Sequence, residues 1–138
     1  MRHFNAKVLC WLFTGLLLSS CEHTLVPAQL FDQETEGFLV SFKLDENNHA
    51  DWQGAAHLVH DSGPYRQLVR WFEENNNYWY RDDVNSAHQT IALLGSDLKI
   101  DIYETFIRIG YTNDDGYFRQ YWRSCKLEEF AFLMELKK

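Results

Sequence analysis

The chain has 138 residues, 46% apolar and 24% charged, which is one domain's worth of material with enough apolar side chains for a core. Thirteen Lys and Arg against twenty Asp and Glu give a formal net charge of −7. That balance excludes the electrostatic footprint of a nucleic-acid binder, because phosphate backbones and anionic headgroups both attract Lys and Arg.

The first twenty residues read as an export signal. Met1, Arg2 and Lys7 make a basic start, and Val8–Leu18 is an uncharged, mainly apolar run. The run is too short to cross a bilayer as a helix, which needs about 20 apolar residues. It fits the apolar region of a secretory signal, which runs about 7–15 residues behind a basic start. A core helix of a cytosolic domain is the competing reading. Small residues follow, Ser19 and Ser20, then Cys21. The tetrad Leu18-Ser19-Ser20-Cys21 resembles the lipobox of bacterial lipoproteins: an aliphatic residue, two small ones, then cysteine. The resemblance covers only the first 21 residues. It implies that the Cys21 thiol receives a diacylglyceryl group, that the chain is cut before Cys21, and that the new amino group is acylated. Each buried methylene contributes about 0.8 kcal/mol, and stable anchoring takes two lipid signals, a condition met by acyl chains carried together on one residue. Glu22 is not the Asp that retains lipoproteins at the inner membrane of enteric bacteria, so the resemblance implies the outer membrane, facing the periplasm.

The expected organisation is therefore a signal peptide over 1–20, a lipidated cysteine and tether over 21–36, and one globular domain over 37–138. Loss of Arg2 and Lys7 leaves eleven basic and twenty acidic residues, a charge of −9. Cys10 leaves with the signal and Cys21 carries lipid, so Cys125 has no partner for an internal disulfide. It is expected as a small buried hydrophobe.

Gly37–Leu44 reads as a strand, with Phe38, Val40, Phe42 and Leu44 on one side. Residues 45–48 are a turn cluster, and 49–61 fit a short strand or a short helix. Ser62-Gly63-Pro64 reads as a helix start. Tyr65, Leu68, Val69 and Phe72 then form one apolar stripe, stopped by Asn75-Asn76-Asn77. Gln89–Leu94, Leu98–Tyr103 and Phe106–Thr112 read as strands. The Glu104-Thr105 joint is no favoured hairpin turn, which leaves one long bent strand open. Asn113-Asp114-Asp115-Gly116 predicts a hairpin, and Tyr117–Cys125 is the return strand. Leu127–Leu136 predicts a short C-terminal helix with Leu127, Phe130, Ala131 and Met134 on one face. The sum is an α+β fold: an antiparallel sheet of about four to five strands, one main helix packed on one face, and that short C-terminal helix. Such sheets often leave the other face in water.

No constellation carries clear chemistry. His57 and His60, with Asp61 adjacent and His49 nearby, are the best metal candidates, but zinc needs three or four ligands in a defined geometry. The acid-and-amide run from Asp45 lacks the Gly at its sixth position and the Glu at its twelfth that a calcium loop requires; Ala50 and Ala56 stand there. There is no nucleophile elbow and no glycine-rich phosphate loop. No catalytic residue, metal site or cofactor is assigned. Aromatic residues make up 16% of the chain. On Tyr117–Cys125, Tyr117, Arg119, Tyr121 and Arg123 share one face. Aromatic and Arg side chains anchor protein interfaces, and they also form cross-strand pairs inside sheets. Trp79, Tyr117, Arg119, Tyr121 and Arg123 are taken as the candidate partner-binding residues. The sequence thus points to a non-enzymatic envelope lipoprotein, held on the membrane by its N-terminal lipid, whose domain binds a protein partner. That partner is an envelope component, or a toxin or hydrolase to be neutralised. A periplasmic lipoprotein binding a small ligand or metal is the alternative.

Overall fold

A computed structural model describes residues 22–43, 52–82 and 89–137. The signal-like segment, Cys21, His49 and the run 45–51 lie outside them. In chain order come β1 (Glu22–His23), α1 (Pro27–Phe31), β2 (Phe38–Lys43), β3 (Trp52–Leu58), α2 (Gly63–Glu74), β4 (Trp79–Arg81), β5 (Ile91–Leu94), β6 (Leu98–Ile102), β7 (Phe106–Thr112) and β8 (Phe118–Ser124). The chain closes with Leu127–Lys137, where 3₁₀ turns flank α3 (Ala131–Met134). The strands form one antiparallel sheet in the order β1-β4-β8-β7-β6-β5-β2-β3.

The expectation of four to five strands under one main helix is corrected. Among the described residues the sheet has eight strands and outweighs the helices, which are small. Three strands carried no readable pattern. β1 and β4 are two and three residues long, too short to show alternation. β3 passes through Gly54-Ala55-Ala56, whose side chains are too small to reveal a face. Glu104-Thr105 is a genuine reversal: Tyr103 N–H donates to the Phe106 carbonyl at 2.9 Å, and β6 and β7 pair from Leu98↔Tyr111 to Ile102↔Ile107.

Residues 22–36, expected as a tether, are folded. Leu25, Pro27 and Phe31 are buried. The Leu25 N–H donates to the Asn76 carbonyl, and Tyr65 Oη donates to the Phe31 carbonyl. A few large apolar groups among polar neighbours suffice to dock this segment, because burying one such side chain contributes about 1.5–3 kcal/mol.

One face of the sheet holds the core. Phe38, Val40, Phe42, Ile91, Leu93, Ile100, Ile102, Ile107 and Ile109 alternate inward. Across them lie Leu68 and Phe72 of α2, Phe31 of α1, and Phe130 and Leu133 near the C-terminus. Helix α2 starts where its sequence signals it: Ser62 Oγ accepts from the Tyr65 N–H at 3.3 Å. The C-terminal face is Phe130 and Leu133, with Leu127 and Leu136 partly buried, while Ala131 and Met134 are exposed. A 3₁₀ path stacks i and i+3, which replaces the helical stripe expected there. Glu129 fixes the segment, accepting from Trp71 Nε1 at 2.8 Å and from the Lys126 N–H at 2.7 Å.

Glu34 is the chief internal polar clasp. It is buried, and its carboxylate accepts from Ser96 N–H (2.6 Å), Ser96 Oγ (3.1 Å), Asp97 N–H (2.8 Å) and Leu98 N–H (2.6 Å). It thereby holds the β5–β6 turn against the α1–β2 connection. Gly95 leaves the space: a Cβ there would stand 2.2 Å from Glu34 Oε2.

Candidate functional site

The five residues taken as a binding face are spread over different environments. Trp79 is wholly buried, stacked on Phe72 at 5.5 Å, and its Nε1 donates to the Asn75 carbonyl. Tyr121 lies on the inner face between His23 (rings 4.4 Å apart) and Tyr111 (6.0 Å). Arg123 Nη1 donates to the carbonyls of Asn75 (3.2 Å) and Asn77, which ties down the loop before β4. These three serve the fold. Tyr117 is 63% exposed, and the Arg119 guanidinium sits 5.5 Å from its ring centroid, at the tip of the β7–β8 hairpin. The shared face that alternation predicts for Tyr117, Arg119, Tyr121 and Arg123 is the inner one, continuous with Ile107 and Ile109 through the β7–β8 register.

The opposite face carries the exposed apolar groups. Leu39 and Leu94 are cross-strand partners, 47% and 57% exposed. Phe118, 53% exposed, lies over Gly110, where a Cβ would meet Phe118 Cζ at 2.5 Å. Lys99 pairs with both Leu94 and Gly110, so Leu39, Leu94, Lys99, Gly110 and Gln120 form one row across the sheet. The next row on that face is polar and aromatic: Asp101, Arg108, Trp122 and Tyr80 are successive cross-strand partners. Arg108 Nη2 donates to Asp101 Oδ2 at 3.0 Å and to Tyr103 Oη at 2.7 Å, and Asp82 Oδ2 lies 3.6 Å from Nη1. Asp101 and Arg108 are nearly fully buried, although strand alternation assigns them to the solvent side. Asp101 Oδ1 has no hydrogen-bond partner. Nothing in the sequence pattern announced this buried ion pair; only the register brings its members together.

Two clefts flank the inner face. The first, about 260 Å³, lies between α1 and the β6–β7 edge and is lined by His23, Gln29, Gln33, Tyr111 and Asn113 among others. Burial lowers the pKa of His23 and pushes Tyr111 up to about 12, with Tyr121 adding to the latter. The Tyr111 hydroxyl stands 3.5 Å from His23 Nε2. Together they make a polar wall of this cleft. The second cleft, about 520 Å³, runs along α2 beside His60, Asp61, Tyr65 and Arg66. His60 Nδ1 is 3.5 Å from Asp61 Oδ2 and its ring packs on Tyr65, while Ser62 is occupied in capping α2. His57 points from β3 to the opposite face, paired with Leu39, so the fold separates His57 from His60. Among the described residues no three metal-ligating side chains converge. Burial, with Glu129 beside it, pushes the Cys125 thiol up to about 12, against the opposing pull of Arg123.

No helix among the described residues is long and apolar enough to cross a membrane. Compared with family models, curated proteins and solved structures, the chain matches none.

Proposed function

We propose that this chain is a membrane-anchored envelope lipoprotein, lipidated on Cys21 and facing the periplasm from the outer membrane, whose domain binds another protein without catalysing a reaction. The address rests on the basic start, the apolar run and Leu18-Ser19-Ser20-Cys21. The binding role rests on one observation: the Leu39–Leu94 pair is exposed on the face opposite the helices, extended by Lys99 and Phe118. Cross-strand aliphatic pairs normally earn their place by burial, and contiguous exposed apolar surface marks interaction sites. The acidic balance suits a basic partner, such as a toxin or hydrolase, whose association would be electrostatically steered and slowed by salt.

The test has two parts in a Gram-negative host. Intact mass and fractionation should find residues 1–20 missing, acyl mass present and the protein in the outer membrane, all lost in Cys21→Ala. A photo-crosslinker at Leu94 should then capture a discrete protein that an equivalent crosslinker at the exposed Glu73 of α2 does not. Identical capture from both positions rejects the binding face; a full-length cytoplasmic chain rejects the address.

The small-ligand alternative draws on the His23–Tyr111 cleft. It requires a bound molecule in native mass spectra of envelope-purified protein, lost in Tyr111→Ala. A bare chain mass rejects it.

A further inference from the structure

We infer that the cleft between α1 and the β6–β7 edge takes a neutral saccharide of one or two rings, held by the carboxamides of Gln29, Gln33 and Asn113 and the carboxylates of Asp97 and Asp114. This deepens the small-ligand reading and rests on it. The cleft is a different surface from the Leu39–Leu94 face. Leu98 and Tyr111, which line it, are cross-strand partners on the inner side, whereas their neighbours Lys99 and Gly110 belong to the outer row. Much of the wall is fixed in place. The Glu34 carboxylate accepts from the Asp97 and Leu98 N–H groups, which holds the backbone that carries the Asp97 side chain. Asn113 Oδ1 accepts from the Tyr117 N–H at 2.8 Å, so the amide nitrogen is the half of that side chain left for a ligand. Across from them, Val26, Gln29, Leu30 and Gln33 come from α1 and its flanks at helix-face spacing. Gln29 and Gln33 are exposed, and among the described residues neither side chain is engaged in a hydrogen bond.

The lining decides the class of ligand. Among the described residues no Lys or Arg faces the cleft, so a carboxylate or phosphate finds no counter-charge. His23, Asp97 and Asp114 all line it, yet among the described residues no three ligating side chains converge as a metal ion requires. Val26, Leu30 and Leu98 are its aliphatic members, too few to enclose a lipid chain. A sugar fits what remains. Each hydroxyl donates one hydrogen bond and accepts others; carboxamides offer both functions and carboxylates accept. The C–H faces of a pyranose ring are apolar and suit the His23 and Tyr111 rings beside Leu30 and Leu98. Burial lowers the pKa of His23 and raises that of Tyr111, so both stay uncharged at neutral pH and set no unpaired charge against a neutral ligand. The cleft, about 260 Å³, is just short of the roughly 300 Å³ at which pockets for drug-sized ligands begin, which limits the occupant to one or two rings.

The test uses the full chain, processed as a Gram-negative host leaves it and purified in a detergent without a sugar headgroup. Saturation-transfer NMR screens glucose, galactose, mannose, N-acetylglucosamine, maltose and cellobiose, with putrescine as the cationic rival for Asp97 and Asp114. The expected result is transfer to at least one saccharide, with an affinity that added salt leaves unchanged, because an uncharged ligand is not screened. Gln29→Ala removes an exposed side chain without touching the core, and should weaken binding about 3- to 10-fold, the contribution of one hydrogen bond. Glu73→Gln, on the exposed side of α2, should change nothing. Extending the bound sugar to its hexamer separates two sources: undiminished binding means the end of a glycan chain, lost binding means a free sugar, and either upholds the inference. A saccharide that binds Gln29→Ala and Gln33→Ala as well as wild type overturns this cleft as its site. No transfer to any saccharide overturns the inference; salt-sensitive capture of putrescine in its place leaves the small-ligand reading standing, and a bare chain mass in native spectra removes both.

Discussion

Replacing Glu34 with Gln probes the clasp that docks the N-terminal segment. Both carboxylate oxygens are used, Oε2 by Ser96 and Oε1 by the Asp97 and Leu98 N–H groups. Gln keeps the shape and one oxygen, but its amide nitrogen must face two donors. Hydrogen bonds to a charged group contribute about 1.5–3 kcal/mol each. Losing two of them, partly offset by water reaching the exposed Ser96, predicts a loss of about 3 kcal/mol. For a domain of this size the midpoint temperature should fall by more than about 10 °C. Urea denaturation should show the same loss as a shifted midpoint at an unchanged slope. Gly95→Ala attacks the clasp from the other side, since its Cβ would stand 2.2 Å from Oε2. Because both changes open one contact, the double variant should be clearly less unstable than the sum of the singles. Additivity within about 0.5 kcal/mol would show the two sites to be independent and refute the reasoning.

Arg108→Met should cost about 3 kcal/mol by leaving the buried Asp101 carboxylate with only the half-exposed Lys99, 3.5 Å away, as a charge partner, and Asp101→Leu in the same chain should restore much of it; urea titrations of both variants decide, and a double variant as unstable as the single argues against a buried pair. Cys125 should resist thiol reagents in the native state at pH 8 and react fully in denaturant, because burial holds the thiol up at about 12; rapid native labelling would contradict that. For His23, burial lowers the folded pKa below the unfolded 6.5, so the unfolded chain binds the proton more readily. The stability from neutral His23 is complete above about pH 6.5 and is lost as pH falls through the lowered value. The difference between the urea midpoints of wild type and His23→Gln should therefore shrink between pH 7.5 and 5, and a constant difference would remove His23 from the pH response.

The elements read from sequence are those with a local signature long enough to repeat. β2 alternates over six residues, α2 has its cap and its stripe, and the β7–β8 turn carries Asn113 and Gly116. What escaped depends on contacts distant in sequence. β1 and β4 exist because Glu22 and His23 find Tyr80 and Trp79 across more than fifty residues. Glu34 looks like one acid in a polar stretch until the β5–β6 turn closes on it. The face assignments of β6 and β8 follow alternation, yet alternation misjudges burial in both directions. Asp101 and Arg108 are covered on the nominal water side, while Tyr121 and Arg123, read as partner-binding, lie on the core side. A strand pattern gives the direction of a side chain and says nothing about what later packs over it.

Loss of the tether changes how an anchored domain would work. A flexible linker of about fifteen residues samples roughly 20 Å, at about 5–6 Å times the square root of its length. Such a module searches for partners away from the bilayer. Here the chain is in the sheet from Glu22 onward, docked through Leu25 and Phe31. A lipid on Cys21 would then leave the domain almost no radial freedom. The search would be confined to a thin layer before any partner arrives, which lowers the entropic cost of association. It also confines the Leu39–Leu94 face to a narrow zone above the membrane. The partner that fits is therefore one presented at the membrane surface, or one that must pass close to it, and a component spread through the depth of the periplasm fits less well.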